Sequence, residues 1–110
     1  MEILKKETNA TGLKLSIEKE NKEIAHAYLY LMKNDSHSSP FGLLEDVFVE
    51  ENLRGKGLGT TIVNAAIEEA KKQGCYKLIC TSRYSKPKVH ALYAKLGFKD
   101  QGKEFRIDFP

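Results

Sequence analysis

Residues 52–70, NLRGKGLGTTIVNAAIEEA, place glycines at alternate positions 55, 57 and 59, with Arg54 and Lys56 on either side of the first. A glycine turn that opens into a helix leaves backbone N–H groups uncovered at the positive end of the helix dipole, an arrangement suited to anions. Gly55, Gly57 and Gly59 let a phosphate or pyrophosphate reach the main chain without meeting a Cβ. Two phosphate-binding grammars are excluded. A P-loop needs Lys-Ser or Lys-Thr after its last glycine, but Lys56 is followed by Gly57 and Glu50 stands where the first glycine belongs. The dinucleotide fingerprint would need glycine at Thr60 or at Ile62. The plain alternative is a tight strand-to-helix turn, which has no need of three alternate glycines.

The rest of the composition narrows the field. The chain has 110 residues, 41% hydrophobic and 30% charged, which reads as one domain over 1–110 with a single modest core. No apolar run approaches the roughly 18 residues that span a bilayer, and the start MEILKKETN lacks a signal-peptide core, so the reading is cytoplasmic without a membrane role. The net charge of +3 is far from the dense basic stripe of nucleic-acid binders, and an acidic cluster at 45–51 opposes that class further. Cys75 and Cys80 have no second pair and no histidine at zinc spacing, so they read as two buried free thiols and no metal is expected.

The positioning elements follow from periodicity. GLKLSIE (12–18) alternates as a half-buried strand and pairs, as a hairpin, with IAHAYLYLM (24–32). KNDSHSSP (33–40) is loop, FGLLEDVFV (41–49) is a strand, and residues 2–6 suggest a further short one. From Leu58 the period becomes helical through Ile62, Val63, Ala66, Ile67 and Ala70, with Gly74 as the stop. YKLICT (76–81) is a buried strand. Pro87 opens a second helix that carries Val89, Leu92, Tyr93 and Leu96 inward to Gly97, and Phe98 with EFRIDF (104–109) supplies a last strand or two. The fold class is α/β (α+β), a mixed, mostly antiparallel sheet flanked by helices.

In this frame LRGKGLG resembles the R/Q-x-x-G-x-G/A acetyl-CoA motif of the GCN-related N-acetyltransferases, with Arg54, Gly57 and Gly59 at its fixed positions. LEDVFVEEN upstream is similar to the fourth strand of that fold, and HALYAKLGF (90–98) to its second signature. The resemblance runs from Leu13 to Phe109 with order preserved. It implies a sheet whose fourth and fifth strands splay apart to admit the pantetheine arm of acetyl-CoA. Backbone groups of Val47, Phe48 and Val49 would bond that arm, and the N–H groups of Arg54, Gly55, Lys56, Gly57, Leu58, Gly59 and Thr60 would take the pyrophosphate. An amine then attacks the thioester directly, in a ternary complex.

That reaction asks for a base to relieve the alkylammonium of a proton and an acid for the departing thiolate. By resemblance Tyr93 is the acid, although its spacing with Val89 and Leu96 equally suits a core tyrosine. Glu45 is the base by similarity to spermidine/spermine acetyltransferases, with Asp46 as alternate. Adjacent residues of a strand point to opposite faces, so at most one should face the cleft, and both also fit solvated edge charges. His26 on its apolar hairpin reads as a core or surface histidine, and Glu50 and Glu51 as solvated. Arg83 and Lys86 suit either CoA phosphates or solvent, and His90 packs in its helix.

Two departures from the family pattern stand out. Lys86 occupies a position where many members carry asparagine. Only about a dozen residues precede GLKLSIE, where the family has helices that wall the acceptor pocket. The expectation is therefore an acceptor site open to a small amine or to a lysine or N-terminus of a polypeptide, or one completed by a partner subunit as in a homodimer. The rival from another class is a non-catalytic acyl-CoA-binding interaction module.

Overall fold

The computed structural model describes residues 1–110, which fall into two compact units, Met1–Cys80 and Thr81–Pro110. The first holds strands β1 (Asn9–Lys19), β2 (Lys22–Lys33) and β3 (Phe41–Val49), a 3-10 turn at Glu51–Leu53, helix α1 (Leu58–Lys72) and strand β4 (Leu78–Cys80). They form one mixed sheet in the order β1-β2-β3-β4, antiparallel except for the parallel pair β3 and β4. The polar stretch between the first two strands is a two-residue turn at Glu20 and Asn21. Both have positive φ (55° and 63°), as the twist of a short hairpin demands.

One face of the sheet receives α1. The alternation of β1 and β2 turns Leu13, Leu15 and Ile17 to the same side as Ala25, Ala27 and Leu29, and Leu29 lies opposite Leu44 of β3. Ile62, Val63, Ala66 and Ala70 supply the buried stripe of α1. Ala25, Ala27, Leu29, Val63 and Ala66 are each fully buried, and the alanines among them let helix and sheet approach closely. Gly42 is held to glycine by this packing, because a Cβ there would come within 2.9 Å of a Leu78 methyl and 3.2 Å of one on Leu29. At the end of α1, Gly74 takes φ 77°, its N–H donates to the Lys71 carbonyl and the Cys75 N–H donates to Ala70, a Schellman stop.

The second unit contains helix α2 (Pro87–Lys95), with Pro87 in its first turn and none of its residues fully buried.

Three expectations from the sequence are corrected. Residues 2–6 form no strand, and neither do Phe98 or residues 104–109. The alternation of Phe105, Ile107 and Phe109 is a strand pattern, yet these side chains are exposed and the segment pairs with no strand. Pattern sets a preference; a ladder also needs a partner edge. The strand foreseen at 76–81 is only Leu78–Cys80, because β3 pairs with it over Gly42, Leu43 and Leu44 alone. Cys75 and Cys80 are free, but half-buried rather than enclosed.

Candidate functional site

Strand β3 is bordered differently on its two sides. On the β2 side pairing continues to Val49, opposite Ala25, and the Glu50 N–H extends it by donating to Ile24 at 2.8 Å. On the β4 side it stops at Leu44, opposite Cys80. Residues Glu45–Val49 therefore present to that side a main-chain edge that β4 does not pair, the feature an extended ligand can use as an added strand.

The separation coincides with a β-bulge. Between the pairs Tyr28–Glu45 and His26–Phe48, two residues of β3, Asp46 and Val47, face the single residue Ala27. Asp46 carries the extra residue's geometry at φ 49°, in the left-handed region. The bulge overturns the expectation that Glu45 and Asp46 point to opposite faces. Glu45 lies opposite Tyr28, and the Asp46 carboxylate turns to the same face, where it accepts a hydrogen bond from His26 Nε2 at 3.1 Å.

Beyond Val49 the chain turns through the 3-10 segment, and Arg54 Nε donates back to the Val49 carbonyl at 2.9 Å. The guanidinium thus closes the strand end on itself while the residue stays exposed. Gly55 and Gly57 both adopt positive φ (81° and 85°), and an added Cβ at either would meet no atom within 4 Å. Glycine is required there by backbone conformation, and the space beside it is open. Gly57 is the N-cap of α1 and no side chain caps the helix. The first helical bond runs from the Thr61 N–H to Gly57, so the N–H groups of Leu58, Gly59 and Thr60 remain for an anion. The first turn holds no acidic residue, and Lys56 is exposed beside it.

This arrangement fits a diphosphate joined to an extended chain: bare donors and positive charge at the α1 N-terminus, continuous with an unpaired edge of β3. The predicted binding residues Val47, Phe48, Val49 and Arg54–Thr60 all belong to the first unit, on either side of the turn at residues 50–53. Tyr93 belongs to the second. There it is half-buried, its ring 5.4 Å from Phe98, and its carbonyl accepts the Phe98 N–H in the Schellman stop formed with Gly97 at φ 103°. The Leu-Tyr-x-x-x-Gly-Phe frame is thus also a helix C-cap with its hydrophobic contact.

Around this edge the titratable groups sort themselves. Glu45 is half-buried and takes part in no ion pair. Burial, aided by the Glu45 carboxylate, pushes the Cys80 thiol up to about 11, and burial also raises Cys75, so neither offers a ready thiolate nucleophile. Glu51 is exposed, as foreseen, whereas Glu50 is half-buried and pairs with Lys22 at 3.3 Å. His37 lies against Tyr76, and the His90 Nε2–H donates to the Arg83 carbonyl at 2.8 Å.

The group around His26 could not be read from the alternation of the strands. Its Nδ1 lies 2.9 Å from Glu23 Oε2, and Glu23 Oε1 meets Lys14 Nζ at 2.6 Å. Simple alternation puts Glu23 and His26, three apart on one strand, on opposite faces. A second irregularity, which leaves Ile24 unpaired between the pairs Ile17–Ala25 and Glu18–Glu23, shifts that parity by one. Two bulges build the cluster, and neither is visible in the alternation.

Known proteins resemble this chain in sequence and in fold. The model of the acetyltransferase (GNAT) family matches residues 2–98. The "Probable glucosamine 6-phosphate N-acetyltransferase 2" of Oryza sativa subsp. japonica is 44% identical over 70 residues, a match that takes in 62% of this chain and 39% of that protein. The "Aminoglycoside N(6')-acetyltransferase type 1" of Stenotrophomonas maltophilia is 31% identical over 67 residues, with 61% and 44% covered. These matches thus span about two-fifths of the relatives' length. The crystal structure of glucosamine-6-phosphate N-acetyltransferase from Arabidopsis thaliana superposes with a TM-score of 0.82 at 26% identity, over 90% of this chain and 67% of that one. No helix is long and apolar enough to cross a membrane.

Proposed function

This chain belongs to the acetyltransferase (GNAT) family, and on that premise we propose that it is an acetyl-CoA-dependent N-acetyltransferase whose acceptor is the primary amine of an amino sugar. The observation that carries the reading is the uncapped N-terminus of α1, with three free N–H groups, set directly after the β3 edge that β4 leaves unpaired. Acetyl-CoA supplies the activated acetyl group. The N–H groups of Leu58, Gly59 and Thr60, with Arg54 and Lys56, would hold its diphosphate, and the main chain of Val47–Val49 its pantetheine arm.

Transfer is direct. The amine nitrogen bonds to the acetyl carbon, the carbon–sulfur bond breaks, and the sulfur leaves with a proton. Glu45, unpaired and beside the edge, is the group to receive the ammonium proton. Asp46 is engaged by His26 and is the weaker candidate. Tyr93 is the group to protonate the sulfur. The two thiols, raised by burial, offer no ready thiolate for a cysteine acyl-enzyme, in keeping with a direct route. The amino-sugar assignment rests on the relatives, whose names specify glucosamine 6-phosphate and an aminoglycoside, both carrying amino sugars.

The test is release of CoA from acetyl-CoA in the presence of glucosamine 6-phosphate, an aminoglycoside, a polyamine or a lysine peptide. Tyr93→Phe should lower kcat about 100-fold while acetyl-CoA affinity changes less than threefold. Acetyl-CoA binding without turnover on any amine would instead identify a non-catalytic acyl-CoA-binding module.

A further inference from the structure

We propose that His26 is a positioning residue for the acetyl-CoA cleft: by holding the Asp46 carboxylate it fixes the left-handed bulge at which β3 parts from β4. The role rests on the acetyl-CoA reading above and adds to it a residue with no part in the chemistry.

Asp46 stands two residues beyond Leu44, the last β3 residue paired with β4, and immediately before Val47–Val49. Its backbone therefore sets the direction of the edge that would receive the pantetheine arm. Its φ of 49° is a conformation that aspartate tolerates but does not favour, so something must hold it. The Asp46 side chain is 70% exposed, and its one ion-pair partner is His26.

His26, in contrast, is thoroughly fixed. Its side chain is 16% exposed. The ring stacks on Phe48, two residues past the bulge, with centroids 5.3 Å apart, and meets the edge of Tyr28 at 5.5 Å. Nδ1 is bound by Glu23, which is held in turn by Lys14. The contacts run from Lys14 to Glu23 to His26 to Asp46 and tie β1 and β2 to the bulge of β3. An exposed ion pair of this kind adds little to global stability. What it fixes is the conformation of one residue at the mouth of the cleft.

The experiment compares acetyl-CoA affinity by calorimetry with amide hydrogen exchange of Asp46, Val47 and Phe48 in the free protein. His26→Phe keeps a ring for Phe48 to stack on and removes both polar contacts. It should raise the Kd for acetyl-CoA about tenfold or more and speed exchange at the three amides, with the far-ultraviolet spectrum unchanged. Adding Asp46→Gly should restore most of the affinity, because glycine takes the left-handed conformation unaided. If His26→Phe does not fold, His26→Leu, which likewise removes both polar contacts, alone and with Asp46→Gly, serves for the same comparison. Wild-type affinity and exchange in the single variant would overturn the role. So would a double variant no better than the single, since the loss would then come from charge or packing. A wild-type protein that does not bind acetyl-CoA would instead defeat the cofactor reading before any variant is compared, and this role with it.

Discussion

At their C-terminal ends the two helices are built alike. Gly74 follows α1 and Gly97 follows α2, both with positive φ, and in each case the next residue's N–H returns to a carbonyl of the last turn, Cys75 to Ala70 and Phe98 to Tyr93. At their N-terminal ends they differ. In α2, Pro87 has no N–H, and Val89 and His90 both donate to Lys86, which leaves only the Lys88 N–H. The His90 side chain also ties the preceding turn through Arg83. In α1, Gly57 takes φ 85°, a conformation that favours glycine over a capping serine or aspartate, and it leaves three donors bare. The helix that buries Ile62, Val63, Ala66 and Ala70 has stability to spare at its open end; α2, with no fully buried residue, closes its own. On the proposed reading, α1 both anchors the sheet and receives the anion.

The largest expected effect tests the anchoring half. Ile62→Ala, at a position 2% exposed, should cost about 2–4 kcal/mol. The melting temperature should then fall by 10 °C or more, at roughly 4–8 °C per kcal/mol. Leu92→Ala in α2, half-buried, should cost about 1 kcal/mol. Equal losses in thermal unfolding would erase the contrast.

A smaller effect separates binding from stability. Thr60→Glu places a carboxylate in the first turn of α1, where the helix dipole favours it by about 0.3–1 kcal/mol. The same charge opposes a diphosphate and should weaken acetyl-CoA binding by about tenfold. A variant that melts no lower than wild type and binds less tightly marks the turn as a ligand site. Unchanged affinity would reduce it to a connection between strand and helix.

The smallest effect is electrostatic and lies on the far side of the sheet. The Lys14 ammonium, and after it His26, holds the Glu23 carboxyl below its ordinary value of 4.5. A lowered carboxyl contributes stability above its unfolded value and loses it as pH falls through the folded one. Wild type should therefore lose stability relative to Glu23→Gln as pH drops below about 4.5, with little difference in slope at neutral pH. Parallel acid-unfolding curves for the two proteins would show that Glu23 is merely solvated.

These tests fall on features of unequal legibility. The span of α1, its stop at Gly74, the opening of α2 at Pro87 and the three long strands could be read from period and breaker residues, because each is decided locally. The strands foreseen at 2–6 and 104–109 were not realised, since a strand is completed by its neighbour and alternation says nothing about one. The left-handed turn at Gly55 and Gly57 was legible because positive φ and a missing Cβ belong to residue type. The His26 group was not, because it depends on Ile24 and Asp46 each displacing a strand's parity by one.

Titration of acetyl-CoA into the wild-type protein, followed by thermal unfolding at a concentration about 100 times the Kd, bears most directly on the central claim. Binding should add about 2.7 kcal/mol and raise the melting temperature by some 10 °C or more, well beyond the shift with adenosine diphosphate. No shift at millimolar acetyl-CoA would contradict the account, and the bare end of α1 would be only the start of a helix.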